Sequence, residues 1–114
     1  MHEMGIINYV IKDVLEVVEE NNVSKVSSVT LEIGELSGAV PSYLVDYWNW
    51  ARKKQPVLET AELRIETIKG ITYCEDCHKE YDTVTYAKIC PYCKSENTYL
   101  LKGNEFNLKE IEVE

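Results

Sequence analysis

Residues 74–93 read CEDCHKEYDTVTYAKICPYC, and this stretch holds all four cysteines of the 114-residue chain. They form two Cys-x2-Cys pairs, Cys74 with Cys77 and Cys90 with Cys93, and twelve residues separate the pairs. A two-residue gap lets both thiolates of a pair turn inward from one tight knuckle, and two knuckles supply the four sulfurs of a closed zinc site. The pattern predicts that these cysteines bind structural Zn(II) within a zinc-ribbon-like module.

A pair of disulfides is the competing interpretation of the four cysteines. The amino terminus has no secretory apolar region, and cytosolic thiols stay reduced. No apolar run reaches the length that crosses a bilayer. We therefore expect metal-bound thiolates in a cytoplasmic protein that makes no membrane contact.

Two amphipathic helices are predicted before the cysteines. The first spans residues 4–20 and ends near Asn21-Asn22, because asparagine tolerates the left-handed conformation that closes helices. The second begins at Pro41, a residue suited to a first helical turn, and runs to about Lys54. The apolar residues at helical spacing are Ile7, Val10, Ile11, Val14, Leu15 and Val18 in the first helix, and Leu44, Tyr47, Trp48 and Ala51 in the second.

Strand patterns complete an α+β fold. Apolar and polar residues alternate at 29–33, 61–66 and 106–113, and the apolar parity of the last run switches between Leu108 and Ile111, which predicts a bulge. A small three-stranded sheet with two helices on one face would bury these residues. We assign 1–69 and 104–114 to a discontinuous α/β domain and 70–103 to an inserted zinc-binding module with two Cys-x2-Cys knuckles.

The charge balance bears on the partners. Twelve basic and 20 acidic side chains give a formal charge of −8, which argues against a nucleic-acid partner. Residues 70–103 contain four lysines and five acids, and so lack a basic footprint. A zinc-ribbon module that binds protein or nucleic acid remains the leading alternative function. A rubredoxin-like iron electron carrier is the other alternative function, although twelve residues between the cysteine pairs is short for that fold.

Motifs for catalysis are absent from the sequence. It has no nucleophile elbow and no phosphate-binding Gly-x-x-x-x-Gly-Lys loop, so we expect no enzyme. Only two histidines occur, His2 and His78. Because His78 directly follows Cys77, we expect it beside the metal site, either as a solvated loop residue packed near a sulfur or as a pH-sensitive neighbour of the thiolates.

The terminus Met1-His2-Glu3 is a chelate pattern. The Met1 amine, the His2 amide nitrogen and the His2 imidazole can close fused rings around one ion, and Glu3 could add a donor. Nitrogen-rich tetragonal sites suit Ni(II) or Cu(II). An exposed terminal residue with no metal function is the other interpretation of His2.

Taken together, these motifs resemble a known family. The chain starts Met1-His2-Glu3, continues with an amphipathic helix and with Leu31-Glu32-Ile33-Gly34-Glu35-Leu36-Ser37, carries the two cysteine pairs, and closes with Gly103-Asn104-Glu105-Phe106. In order and spacing it resembles the hydrogenase nickel-insertion accessory proteins of the HypA/HybF family, over its whole length.

The resemblance implies a nickel metallochaperone with structural zinc at the four cysteines. It implies that Met1, His2 and Glu3 bind the nickel cargo, with His2 as the principal ligand. The implied partners are the GTPase HypB and the large subunit of [NiFe]-hydrogenase. A homodimer is a possible further assembly of this chain. The resemblance implies that some members supply a further acidic or histidine ligand, but the turn Gly38-Ala39-Val40-Pro41 here lacks an acid. The remaining nickel donor is therefore not identified by the sequence.

Overall fold

The computed structural model describes residues 3–114. Helix α1 (Glu3–Glu20) buries one apolar face, as its spacing predicts. The chain leaves the helix at Asn22, whose φ of +52° is the left-handed conformation expected there. The buried residues of α1 are Ile6, Ile7, Val10, Ile11 and Val14.

Helix α2 (Pro41–Ala51) begins with Pro41 in its first turn. It is shorter than predicted, because the chain tightens into two 3-10 turns, Arg52–Lys54 and Pro56–Leu58. Trp48 is completely buried, and its indole Nε1 donates a hydrogen bond to the Ala61 carbonyl at 3.0 Å. The buried indole therefore fixes the segment that follows the helix.

One sheet contains β1 (Val26–Gly34), β2 (Glu62–Ile68) and β6 (Phe106–Val113), in the order β2-β1-β6. The Glu114 amide bonds to the Lys25 carbonyl, and the Ser27 hydroxyl bonds to the Glu112 carbonyl, so β1 and β6 are antiparallel. The sheet confirms the predicted three strands, and β1 extends further toward the amino terminus than the alternation indicated.

Two ion pairs join β2 to β6 on the exposed face of this sheet. Lys109 Nζ lies 2.7 Å from Glu66 Oε2, and Arg64 Nη1 lies 3.1 Å from Glu112 Oε1. Lys109 and Glu112 are three residues apart, yet both reach β2, so the side-chain parity of β6 changes between them. This change lies where the sequence pattern indicated a bulge.

A second sheet lies in the cysteine-containing part of the chain. It consists of β3 (Ile71–Cys74), β4 (Glu80–Asp82) and β5 (Thr98–Lys102), in the order β4-β3-β5 with antiparallel pairing. A one-turn helix, α3 (Thr83–Tyr86), follows β4 and was not expected from the sequence. The Asp82 carboxylate starts it by accepting hydrogen bonds from the Val84 amide and the Thr85 hydroxyl.

Contacts divide the chain into two compact units. Unit 1 contains the described residues up to Glu32 together with Gly38–Glu66 and Asn107–Glu114, and unit 2 contains Ile33–Ser37 and Thr67–Phe106. The predicted domain boundaries at 69–70 and 103–104 stay a proposal. Within residues 3–114, no helix has the length and apolarity to cross a membrane.

Glycines allow backbone segments of unit 2 to approach closely. A Cβ on Gly34 would lie 2.1 Å from the Gly103 carbonyl oxygen. Gly103 itself has a φ of +118°, and its amide donates to Glu105 Oε1 at 2.6 Å. These contacts give a physical reason for the Gly103-Asn104-Glu105 sequence.

Candidate metal centre

The two cysteine knuckles share one backbone conformation. In the first, the His78 amide donates to the Cys74 carbonyl, and the Cys74 amide donates to the Lys79 carbonyl, both at 2.9 Å. In the second, Lys94 and Ser95 take the same roles toward Cys90, at 2.9 and 3.0 Å. His78 and Lys94 both have positive φ, +60° and +65°. Each pair therefore sits on a hydrogen-bonded turn that directs both sulfurs to one side.

The sulfurs of both pairs converge at one point. Cys74 Sγ lies 3.6 Å from Cys93 Sγ, Cys77 Sγ lies 3.6 Å from Cys90 Sγ, and all four sulfurs lie within 4.8 Å of one another. A disulfide would need a separation of about 2.05 Å. Four sulfurs each about 2.3 Å from a tetrahedral zinc ion would be separated by about 3.8 Å. The spacing fits a tetrahedral thiolate-bound ion and does not fit disulfides.

Burial differs among the four cysteines. Cys74 and Cys90 are fully buried with Tyr81, Cys77 is half-buried against them, and Cys93 is exposed. Tyr81 is held by its hydroxyl, which donates to the Ala87 carbonyl at 2.8 Å. The cluster therefore has a closed side formed by Cys74, Cys90 and Tyr81, and an open side at Cys93.

Electrostatics favour a cation among these thiols once they ionise. Burial raises the pKa of Cys90, but hydrogen bonds from the amides of Cys93 and Tyr92 outweigh it and lower that pKa to about 7. At Cys93, a hydrogen bond from the Ser95 amide lowers the pKa, whereas partial desolvation of the sulfur and the neighbouring cysteines raise it to about 12. One thiolate thus suppresses ionisation of another. A divalent ion held by the four sulfurs would remove this repulsion and let all four ionise.

A side-chain network that the sequence analysis did not identify links the two knuckles. The Asp76 carboxylate accepts hydrogen bonds from the Ser95 hydroxyl and from Asn97 Nδ2, the latter at 3.3 Å. The Asn97 carbonyl accepts from the Glu75 amide at 3.0 Å. The only sequence signal was a short acid inside one pair and small polar residues just after the other, types that often bond to nearby backbone.

His78 is exposed beside the first knuckle. Its Nδ1 lies 2.9 Å from the Tyr73 hydroxyl. Among the described residues, the group able to hold a metal ion comprises the four cysteines without this histidine. The imidazole thus bonds to a tyrosine here, and its predicted influence on the thiolates stays a prediction.

Of the predicted nickel ligands, Met1 and His2 lie outside the described residues. Glu3 is the first residue of α1 and is half-buried. It lines a shallow hollow of about 440 Å³ with Met4, Gly5, Asn8 and Tyr47. The start of α1 therefore borders open space within unit 1.

The fold and the cysteine cluster define a small α+β metal-binding protein. Residues 1–113 match the family model described as hydrogenase/urease nickel incorporation, metallochaperone, hypA. The chain belongs to the HypA family of nickel-incorporation metallochaperones, which act in hydrogenase maturation and are not enzymes. This confirms the resemblance drawn from the sequence motifs.

Relatives match the chain from end to end. The hydrogenase maturation factor HypA of Geobacter metallireducens is 37% identical over 115 residues, which cover 100% of both chains. That of Aquifex aeolicus is 36% identical over 114 residues, covering 100% of this chain and 98% of the relative. The solution structure of the Ni metallochaperone HypA from Helicobacter pylori is 28% identical with a TM-score of 0.71, covering 99% of this chain and 97% of that one.

Proposed function

We propose that this chain binds Ni(II) through Met1, His2 and Glu3 and carries a structural Zn(II) at Cys74, Cys77, Cys90 and Cys93. The zinc stabilises the fold, and the nickel is cargo for [NiFe]-hydrogenase. The GTPase HypB and the hydrogenase large subunit are the proposed partners, in the cytoplasm. Self-association as a homodimer is compatible with this proposal and is not required by it.

The observation that carries the zinc assignment is the separation of the sulfurs. Four thiolates within 4.8 Å provide a complete tetrahedral donor set, with no position left for a substrate or water. Closed sites of this kind stabilise folds and perform no chemistry. Zinc therefore belongs to the structural part of the molecule, and nickel transfer needs a different site.

The start of α1 supports the nickel assignment. The first amides of a helix have no intrahelical acceptor, so an amide near Glu3 can lose its proton to a metal without breaking a helical hydrogen bond. The helix dipole opposes a cation there by about 0.3–1 kcal/mol, and the Glu3 carboxylate offsets this repulsion. The hollow beside Glu3 is shallow and open, as expected of an exposed site that an acceptor could reach.

Release follows from the donor types. A terminal site with a free amine, an imidazole and a carboxylate can exchange its donors one at a time. Protons compete for the amine and the imidazole, so nickel affinity should fall as the pH drops below about 7. Such a site suits a protein that must bind nickel and then transfer it.

Metal analysis of protein without added residues before Met1 tests both assignments. Purified protein should contain about one zinc per chain, and nickel added in equilibrium dialysis should bind at about one further ion per chain without displacing zinc. His2→Ala should lose nickel and keep zinc, whereas Cys74→Ser should lose zinc. His78→Ala is the matched control, because His78 is the only other histidine.

The nickel assignment fails if His2→Ala binds nickel as the wild type does. Residues placed before Met1 should also weaken nickel binding, because they abolish the free amine. An unchanged affinity in that extended chain would show that the amine is not a ligand. The zinc assignment fails if the purified wild type contains no zinc and takes up none.

A further inference from the structure

We propose that Asp76 is a positioning residue of the cysteine site, joined through Ser95 to the opposite knuckle so that Cys93 stays in place for the metal. The inference rests on the proposed zinc site and deepens it. Asp76 touches neither the ion nor a sulfur in this assignment, and it acts through the hydrogen bonds of its carboxylate.

The first step is the connection between the knuckles. Asp76 lies between Cys74 and Cys77, and its carboxylate accepts a hydrogen bond from the hydroxyl of Ser95, two residues beyond Cys93. Asn97 strengthens the connection, because its side chain donates to Asp76 and its amide donates to the Ser95 hydroxyl at 2.9 Å. The two knuckles are thus tied by side chains as well as by any shared metal.

The second step leads from Ser95 to the metal ligands. The Ser95 carbonyl accepts a hydrogen bond from the Cys90 amide at 3.0 Å, and a hydrogen bond from the Ser95 amide lowers the pKa of the Cys93 thiol. One residue therefore contacts both cysteines of the second knuckle while its hydroxyl bonds to the first. Partners that orient metal ligands in this way typically change metal affinity about 10- to 100-fold when they are removed.

The third step concerns the exposed cysteine. Cys93 is the exposed member of the four, whereas Cys74 and Cys90 are buried and Cys77 is half-buried. Packing therefore restrains the Cys93 side chain least, and hydrogen bonds must supply the restraint that packing does not. A loss of the Asp76–Ser95 bond should accordingly act first at Cys93.

A different explanation must be separated from this one. Asp76 carries a negative charge near the ion, so its removal could weaken zinc binding through charge alone. Glu75 provides the matched control, because it is the adjacent acid on the same turn and its carboxylate makes no hydrogen bond to any described residue. Asp76→Asn gives a second comparison, since it removes the charge and keeps an acceptor oxygen.

The test is zinc release from the full chain, followed with the chromophoric chelator 4-(2-pyridylazo)resorcinol. We expect Asp76→Ala and Ser95→Ala each to release zinc about tenfold faster than the wild type. The effects of the two substitutions should be less than additive in the double variant, because both remove the Asp76–Ser95 bond and each removes one further bond to Asn97. Asp76→Asn should be intermediate, and Glu75→Ala should match the wild type.

Site-specific alkylation locates the effect. In zinc-loaded Ser95→Ala, iodoacetamide labelling followed by peptide mass spectrometry should rise at Cys93 relative to Cys77, whereas general destabilisation would raise both together. The Co(II)-substituted variants should keep a tetrahedral spectrum, which shows that they fold.

Several outcomes would overturn the inference. They are release at the wild-type rate in Ser95→Ala, additive rates in the double variant, equal acceleration in Glu75→Ala and Asp76→Ala, or labelling that rises equally at both cysteines. These failures are distinguishable from failure of the proposed function, because they are measured on protein that has been shown to hold one zinc.

Discussion

Removal of zinc should unfold unit 2 and leave unit 1 folded. Of the largest fully buried side chains in residues 3–114, unit 2 supplies only Ile33, Cys74 and Cys90. The apolar cluster around the sulfurs consists of Tyr81 and the cysteines themselves. Without the ion, little apolar packing would hold the knuckles together.

The magnitudes favour the metal by a wide margin. Burial of one large side chain such as Tyr81 contributes about 1.5–3 kcal/mol, whereas zinc bound at structural cysteine sites contributes about 10–16 kcal/mol at neutral pH. Unit 1 has its own core, which includes Ile7, Leu31, Leu44 and Trp48. Loss of zinc should therefore cost unit 2 most of its stability and unit 1 little of its own.

The aromatic residues allow both units to be followed in one sample. Both tryptophans lie in unit 1, and five of the eight tyrosines lie in unit 2. After a chelator removes zinc, tyrosine near-ultraviolet dichroism and the amide protection of β3 should be lost, while Trp48 emission stays unchanged. Added zinc should restore both signals, and Cys90→Ser should resemble the chelated wild type. Persistent protection of β3 amides without zinc, or a shift of Trp48 emission at the same chelator concentration, would refute the reasoning.

Three further predictions concern packing and exposure. Gly34→Ala should destabilise the protein by about 3 kcal/mol or more, because its Cβ would lie 2.1 Å from a backbone oxygen. Gly5→Ala in α1 should stabilise it by up to about 1 kcal/mol, because a Cβ there has nothing within 4 Å. Urea denaturation compares the two variants, and equal stability would contradict the close approach at Gly34. Trp48→Ala should lower the free energy of unfolding by about 3–5 kcal/mol, because its indole is buried. Trp50→Ala should lower it by less than about 1 kcal/mol, because its indole is 57% exposed. Similar losses of stability for the two variants in calorimetry would contradict this prediction. A limiting amount of iodoacetamide should label Cys93 first in the zinc-loaded wild type, because Cys93 is the exposed cysteine. Peptide mass spectrometry that shows another cysteine labelled first would contradict this prediction.

Long elements could be predicted from the sequence because their patterns repeat. Helix α1 shows its apolar spacing over 18 residues, and Asn22 marks its end by a conformation that few residues tolerate. Strands β3 and β4 contain four and three residues, too few to establish a period. Helix α3 depends on a single side-chain cap from Asp82, which a search for periodicity does not detect.

The metal centre also has one part that the sequence could predict and one part that it could not. The cysteines could be assigned because a two-residue gap fixes the direction of both thiolates within a turn. The bond between Asp76 and Ser95 spans 19 positions and exists only because the knuckles converge. Its partners are common surface residues, and nothing in their local spacing distinguishes them from solvated ones.

Donor chemistry accounts for the proposed division of two divalent ions between two sites of one small chain. Affinity alone does not keep nickel from a thiolate site, because selectivity among first-row ions comes from geometry and ligand type. The convergent knuckles bring four sulfurs within 4.8 Å of one another, a donor set that suits tetrahedral zinc. The proposed nickel donors are nitrogens in adjacent chelate rings, which favour a square-planar ion. On the proposed assignment, the hydrogen bonds that keep the knuckles rigid, including the one from Ser95 to Asp76, should serve selectivity as well as stability. A loosened Cys93 would let the sulfurs adapt to the wrong metal.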